Sequence, residues 1–193
     1  MARHREFDHD DLLDKAMHLF WQHGYGATSI QDLVDATGVN RASMYGTFGN
    51  KQLLFQAALD HYVAKIISGR LERLRAPGSA RTALRNYFDG MVDVAQRDDR
   101  QLGCLMTNSA VEIAPHDVGI AKTLRVSFGT VEEALFEVIR RGQAQGEIAA
   151  DKDPRALARF LIGVIQGLRV LMRTRTDKGH LRDVVAIALS SLD

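Results

Sequence analysis

Apolar side chains recur every three or four residues along most of the chain, which is the spacing of one face of an α-helix. In the first such segment Leu13, Ala16, Met17 and Phe20 share a face, and Gly24 follows the last of them. No stretch keeps the alternation of a β-strand. The pattern therefore predicts an all-α protein. The predicted helices cover residues 10–23, 29–37, 41–48, from 51 past 66, 80–97, 104–112, 120–145, from 154 past 172, and from 179 towards the end.

The clearest break in the helical pattern is the run from Arg75 to Ser79. Pro77 and Gly78 together end a helix and open a loop. The pattern on either side differs, with short capped helices before the break and long apolar helices after it. We therefore predict an N-terminal domain over residues 6–66 and a C-terminal domain over residues 80–193.

Composition narrows the class of protein without naming a function. The 193 residues include 25 Lys and Arg against 24 Asp and Glu, so the net charge is only +1. One cysteine excludes an internal disulfide or a cysteine-cluster zinc site, and no other metal or cofactor motif is present. The most apolar run, residues 160–172, is too short to span a bilayer and contains Arg169. These features predict a soluble cytoplasmic protein with no membrane partner, no cofactor and no metal.

The segment with functional chemistry is a predicted helix-turn-helix. Two short helices are joined by Gly38, Val39 and Asn40, and the second has a length that fits the major groove of DNA. Its side chains include groups that bind base edges and phosphates. The candidate DNA-binding residues are Thr28, Ser29, Arg41, Ala42, Ser43, Tyr45, Thr47 and Lys51.

Residues 23–40, HGYGATSIQDLVDATGVN, and residues 41–51, RASMYGTFGNK, resemble the DNA-binding domain of TetR-family transcriptional regulators. The resemblance covers about residues 8–60. It departs from the usual family pattern at Asn40, Ala42 and Thr47, where Ser, Gly and His are more common. The resemblance implies a homodimer that binds a double-stranded DNA operator and is released by a small-molecule effector held in a C-terminal ligand-binding and dimerisation domain. We therefore expect a ligand-responsive repressor.

Local charge by itself does not favour DNA binding. Residues 1–51 contain five Lys and Arg and seven Asp and Glu, a net charge of −2. The acids cluster on the first helix, and we expect them to face away from the basic residues. The basic residues expected to face DNA are Arg3, Arg5, Arg41 and Lys51. A helical interaction module that binds no DNA is the alternative, whereas the chain contains no nucleophile elbow, phosphate loop or dinucleotide motif typical of an enzyme.

The last two helices carry more apolar side chains than one surface helix needs. Positions 157, 161, 164, 168 and 171 form a heptad-like stripe, and Gly163 and Gly167 permit a close approach of helices. We predict a dimer interface there, with the core of a monomer as the alternative. The candidate interface residues are Leu161, Val164, Leu168, Leu171, Val184, Val185 and Ala188.

The middle helices carry apolar residues with a few polar ends, which is typical of a small-molecule cavity. The candidate effector-binding residues are Tyr87, Phe88, Met91, Cys104, Met106, Asn108 and Phe128, and the alternative for each is an ordinary core position. Cys104 lies in a Gly-Cys-Leu stretch that resembles one branch of the family. It is either a sensor thiol beside Arg97 or Arg100 or a buried, inert thiol.

Overall fold

The computed structural model describes residues 8–97, 101–174 and 177–193, apart from the side chains of residues 95–97. Throughout these residues the regular structure is helical and contains no strand, which confirms the all-α prediction. The α-helices are α1 (His9–His23), α2 (Ile30–Thr37), α3 (Arg41–Phe48), α4 (Lys51–Tyr62), α5 (Ser68–Arg75), α6 (Ala80–Arg97), α7 (Leu105–Glu112), α8 (Val118–Ala144), α9 (Pro154–Leu171) and α10 (Lys178–Ser190). The predicted boundaries hold to within a few residues.

The N-terminal helices begin and end where the sequence supplies caps. The Ser29 hydroxyl accepts the Asp32 N–H while the Asp32 carboxylate accepts the Ser29 N–H, a capping box that starts α2. Gly38 ends α2 with φ +73°, a left-handed conformation that favours glycine. The Asn40 side chain then accepts the Ser43 N–H at 2.9 Å and starts α3. Local chemistry therefore determines the turn between the two helices.

An aromatic cluster holds α1 against α4. Phe20 is fully buried and meets Phe55 edge-on, with ring centroids 5.0 Å apart. Tyr25 meets the same Phe55 ring at 5.0 Å. Burial of one such side chain contributes about 1.5–3 kcal/mol, so this cluster fixes the frame on which α2 and α3 are carried.

The helical path from Lys51 to Arg75 has no break. Between α4 and α5 it passes through a π-helical segment, Val63–Ile67, where the Ser68 hydroxyl donates to the Val63 carbonyl at 3.2 Å. The predicted domain boundary at residue 66 therefore lies inside a continuous rod, and the first interruption is the loop at residues 76–79. A motion at α5 can reach the N-terminal domain directly along this rod.

The long helix α8 packs against α5, α6, α7 and α9 and forms the centre of the C-terminal part. It begins at Val118, before the predicted start at residue 120, because Asp117 caps it by accepting the Ile120 N–H at 3.0 Å. Within the described residues no helix combines the length and apolarity needed to cross a bilayer.

Gly142 marks a close contact near the end of α8. A Cβ atom placed there would lie 2.5 Å from Ile148 Cδ1 and 3.0 Å from Ala80 Cβ. Both neighbours are buried, and Ala80 opens α6. The absence of a side chain at residue 142 therefore allows α6 and α8 to meet.

We expect Gly142→Ala to destabilise the protein by about 1–3 kcal/mol, because the added methyl group overpacks this contact. Gly129→Ala is the matched control, since a Cβ on this exposed residue of α8 meets no atom within 4 Å. The control should stabilise the helix by about 0.5–1 kcal/mol. Thermal and urea unfolding measure both changes, and equal effects of the two substitutions would contradict the packing argument.

Candidate nucleic-acid interface and effector cavity

Helix α3 is held from one side and open on the other. Met44 is fully buried under the helix and anchors it to the core. The opposite face is exposed. It presents Arg41, Ala42, Tyr45, Gly46 and Thr47. The helix has eight residues and is therefore about 12 Å long, which suits insertion into a major groove.

Arg41 and Tyr45 are the two long polar side chains on this face. Tyr45 is 37% exposed, and Arg41 is exposed as well. Within the part of the chain that the structure describes, neither has a hydrogen-bonded or ion-pair partner. Both groups can therefore bind a base edge or a phosphate without first breaking an internal contact.

The structure corrects one predicted DNA contact and restricts another. Thr28 is only 1% exposed, and its hydroxyl donates to the Gly24 carbonyl at 2.6 Å, so the side chain closes the turn before α2 and does not face outwards. Thr47 is exposed, but its hydroxyl donates to the Ser43 carbonyl at 3.0 Å. Ser29 is exposed, with its oxygen already accepting the Asp32 N–H. Ser43 is half-buried.

Lys51 is the first residue of α4, and its side chain is half-buried. Its ammonium lies 4.3 Å from the centre of the Tyr25 ring, a cation–π contact. Burial lowers the pKa of Lys51, and the nearby Glu112 and Asp32 carboxylates oppose this shift. The ammonium is therefore part of the junction around Tyr25 as well as a candidate phosphate ligand.

The acids of α1 are partly neutralised by the following helices. Asp14 forms an ion pair with Lys65 and a 2.8 Å contact with His61. The hydrogen bond from Lys65 is the main reason that the pKa of Asp14 is lowered, with His61 adding to it and burial opposing it. Asp14 therefore faces the α4 rod. The predicted contacts of Arg3 and Arg5 lie outside the described residues.

A carboxylate from the C-terminal part binds the turn that precedes α2. Glu112, at the end of α7, accepts the Tyr25 N–H at 3.1 Å and the Gly26 N–H at 2.7 Å. The contact leaves no room for a side chain at Gly24, because a Cβ there would lie 2.7 Å from a Glu112 oxygen. This junction, which the sequence analysis did not identify, fixes the helix-turn-helix against α7.

Further contacts across the same boundary support the junction. Trp21 donates from its indole nitrogen to the Leu102 carbonyl at 3.0 Å. On α4, Gln52 donates to Asp117 and Gln56 donates to Thr123 at 2.9 Å. The N-terminal domain is thus bonded to α7 and α8 along one side.

The predicted effector-binding residues do not share one site. Tyr87 and Met91 line a cavity of about 570 Å³ between α5, α6 and α9. Phe88 and Met106 are buried in the core and line none of the cavities described for this structure, so their role as ligand contacts stays a prediction. Asn108 donates to the Leu102 carbonyl and lines a smaller cavity next to Trp21, while Phe128 lies in an open groove between α8 and α9.

Sequence reasoning missed the charged residues that line the 570 Å³ cavity, which are Arg70, Arg73, Asp93 and Arg169. A signal for Arg169 was present, because it is the single charged residue within the apolar run 160–172. Arg70 gives no comparable signal, since it stands in a segment rich in charged residues. Its burial depends on how α5 packs.

Cys104 is 5% exposed and accepts a hydrogen bond from the Tyr62 hydroxyl at 3.5 Å. Burial alone raises the pKa of the thiol, but the positive charge of Arg169 and hydrogen bonds from Tyr62 and Thr107 outweigh it, so the pKa is lowered overall. The expected cationic neighbours, the side chain of Arg97 and all of Arg100, lie outside the described residues. The positive charge that the structure does place near the thiol is Arg169.

The predicted interface stripe is divided between the core and the surface. Leu161 and Leu168 are completely buried within their own chain, and Val185 and Ala188 are also buried, so these four pack inside the subunit. Val164, Leu171 and Val184 are half-buried. The outward face of α9 and α10 instead exposes Phe160 and Ile187, at 46% and 72%.

The comparisons with known proteins agree with this architecture. Residues 12–58 match the family model for bacterial regulatory proteins of the tetR family, and residues 80–188 match that for a tetracyclin repressor-like C-terminal domain. The chain is 36% identical over 194 residues to the uncharacterized HTH-type transcriptional regulator YezE of Bacillus subtilis (strain 168), covering 100% of both chains.

Two further relatives are similar over nearly their whole length. The HTH-type transcriptional repressor ComR of Escherichia coli (strain K12) is 37% identical, with 97% of this chain and 90% of ComR covered. A solved structure of a cysteine mutant of the TetR family transcriptional regulator CifR, complexed with 26bp double-strand operator DNA, is 33% identical, with a TM-score of 0.88 and coverage of 99% and 100%. Proteins of this kind are regulators and not enzymes. On the strength of both family models and these relatives, the chain belongs to the TetR family of DNA-binding transcriptional regulators.

Proposed function

We propose that this protein is a ligand-responsive repressor that binds a palindromic operator as a homodimer and is released when a small molecule occupies its C-terminal part. The observation that carries the proposal is the outward face of α3, where Arg41 and Tyr45 are exposed while Met44 anchors the helix from beneath. The name of ComR as a repressor, and the operator DNA bound to CifR, support the same reading.

Operator recognition needs two copies of α3. Two recognition helices read successive major grooves when they lie about 34 Å apart, and one subunit supplies only one such helix. In each copy Arg41 faces a base edge, and Lys51 faces a phosphate from the first turn of α4, where free backbone N–H groups already favour an anion.

The outward surface of α9 and α10 is the proposed dimer face. Phe160, Val164, Val184 and Ile187 line a shallow apolar groove there. Gly163 and Gly167 of α9 are exposed, with open space where a Cβ would stand, so a second helix can approach closely. Leu161 and Leu168 support this face from within and do not contact the partner.

The effector changes operator affinity through the junction at Glu112. Occupation of the C-terminal cavity favours one packing of α5, α6 and α9, and the operator favours another, which is what coupling between two sites requires. The rod of α4 and α5 and the contact of Glu112 with the turn before α2 connect the cavity to α3.

DNA binding is tested by selecting operators with the purified protein and comparing Arg41→Ala with Lys51→Ala. We expect Arg41→Ala to weaken binding at least about tenfold and to relax preference at one base position in each half-site. Lys51→Ala should weaken binding to all sequences alike, and the salt slope of a dimer should become shallower by about 2. Arg85→Ala, an exposed change on α6, is the control. Wild-type affinity for both variants would contradict the proposed role of α3.

Dimerisation is tested with Ile187→Asp. A carboxylate from each subunit at the centre of the apolar face loses its hydration and repels its copy, so we expect the dimer to dissociate about a hundredfold more readily. Sedimentation at micromolar concentration measures the change. Val126→Asp, an exposed position of α8, should leave the dimer intact. A wild-type protein that sediments as a monomer would overturn the dimer.

The junction is tested with Glu112→Ala. Loss of both hydrogen bonds frees the helix-turn-helix to reorient, and fixing it again on DNA costs entropy, so we expect operator affinity to fall about tenfold with base preference unchanged. Fluorescence anisotropy with the selected operator gives the affinity. The operator affinity of Glu112→Gln, which keeps one acceptor oxygen, should lie between those of the wild type and Glu112→Ala. Glu72→Ala, which removes an exposed acid of α5, should leave operator affinity unchanged. An altered base preference would argue against a purely orienting role.

A further inference from the structure

Two arginines line the 570 Å³ cavity and have no carboxylate partner in the part of the chain that the structure describes. Arg70 enters it from α5 and Arg169 from α9. Arg169 is only 5% exposed, and the Nη1 atom of Arg70 is buried without a hydrogen-bond partner. Across residues 8–97, 101–174 and 177–193, neither arginine forms an ion pair.

The two guanidinium groups also act on each other. Burial lowers the pKa of Arg70 and the positive charge of Arg169 lowers it further, while Tyr62, Tyr87 and Cys104 oppose the shift. A buried charge without a partner costs free energy, and a second charge of the same sign increases the cost. An arrangement that is unfavourable in the empty protein becomes favourable once an anion lies between the two groups.

The remaining lining of the cavity does not supply that anion. Among the lining residues that the structure describes, Asp93 is the one acid, and its carboxylate pairs with Lys178 at 2.8 Å. Arg73 adds a further positive charge at the rim. The rest of the wall is largely apolar, with Asn86 and the phenol of Tyr87 as neutral hydrogen-bonding groups. The apolar lining residues are Leu74, Ala83, Met91 and Val94.

We propose that the effector is an organic acid, with its carboxylate between Arg70 and Arg169 and its apolar body against Leu74, Ala83 and Met91. This inference rests on the proposed effector function of the C-terminal part. The volume lies within the range of about 300–1,000 Å³ that small-molecule sites occupy. A guanidinium binds a carboxylate through two parallel hydrogen bonds, and two guanidiniums can share its two oxygens.

The position of Arg70 links such a ligand to the DNA-binding domain. Arg70 stands three residues after the end of the π-helical segment Val63–Ile67, and Tyr62 stands just before that segment. A π-helical turn holds one more residue than an α-helical turn and is a frequent site of rearrangement. An anion that draws Arg70 towards Arg169 pulls α5 towards α9, and the rod carries the displacement to α4.

The first test needs no knowledge of the natural ligand. We expect Arg70→Met and Arg169→Met each to raise the melting temperature of the ligand-free full-length protein by about 2 °C or more, because each removes an uncompensated buried charge. Arg85→Met, an exposed arginine of α6, should change it little. A lower melting temperature, or failure of both variants to fold, would mean that the arginines stabilise the empty protein, and the proposal would be overturned.

The second test uses matched acids and amides at constant ionic strength. Benzoate and octanoate should raise the melting temperature of the wild type and release the selected operator, while benzamide and octanamide should do neither. The response should disappear in both Met variants and persist in Arg169→Lys, which keeps the charge. Equal responses to acids and amides, or no response to either acid at 10 mM (roughly the weak millimolar affinity limit), would overturn the organic-acid assignment.

The two proposals fail in different ways. If the wild type binds a selected operator but acids do not release it, the cavity assignment fails and the repressor proposal stands. If neither the wild type nor any variant selects a DNA sequence, the repressor proposal fails, whereas a melting-temperature shift specific for acids would still locate an acid-binding cavity.

Discussion

The orientation of α3 depends on the two hydrogen bonds between the Glu112 carboxylate and the backbone of Tyr25 and Gly26. The domain that carries α3 is small and has its own aromatic core, so its orientation relative to α8 and α9 depends on contacts across the boundary. The Glu112 carboxylate fixes this orientation, and Trp21 and Gln56 add hydrogen bonds along the same boundary. In the proposed repressor, this contact is the one through which the exposed face of α3 is regulated.

In the proposed mechanism, the 570 Å³ cavity binds the effector, and the rod of α4 and α5 connects that cavity to the DNA-binding domain. Arg70 and Arg169 place unbalanced positive charge where α5 meets α9, and the π-helical segment lies between that charge and α4. Natural proteins keep an unfavourable arrangement of this kind where function requires it, and functional sites commonly reduce stability. The positive charge of Arg169 lowers the pKa of Cys104 and opposes the burial that raises the pKa of Tyr62.

Local signals in the sequence were sufficient to predict the helices and the exposed face of α3. The capping side chains of Ser29 and Asn40 and the glycine at residue 38 act over four residues or fewer, and the exposed positions of α3 follow from helical periodicity. The same reasoning failed at Thr28, whose hydroxyl is used inside the turn. It left Phe88 and Met106 undecided, because an apolar residue at helical spacing fits a core and a cavity equally well.

The sequence by itself determined the helical class, the helix-turn-helix and the family, because these depend on periodicity, caps and a contiguous motif. Only the tertiary structure decided that Leu161 and Leu168 pack inward while Phe160 and Ile187 face outward, since one helix is apolar around much of its circumference. It also brought Glu112 to Gly26, 86 residues away along the chain, and Arg70 to Arg169. Such long-range pairs leave no local pattern, because they arise from how helices cross and not from how each one forms.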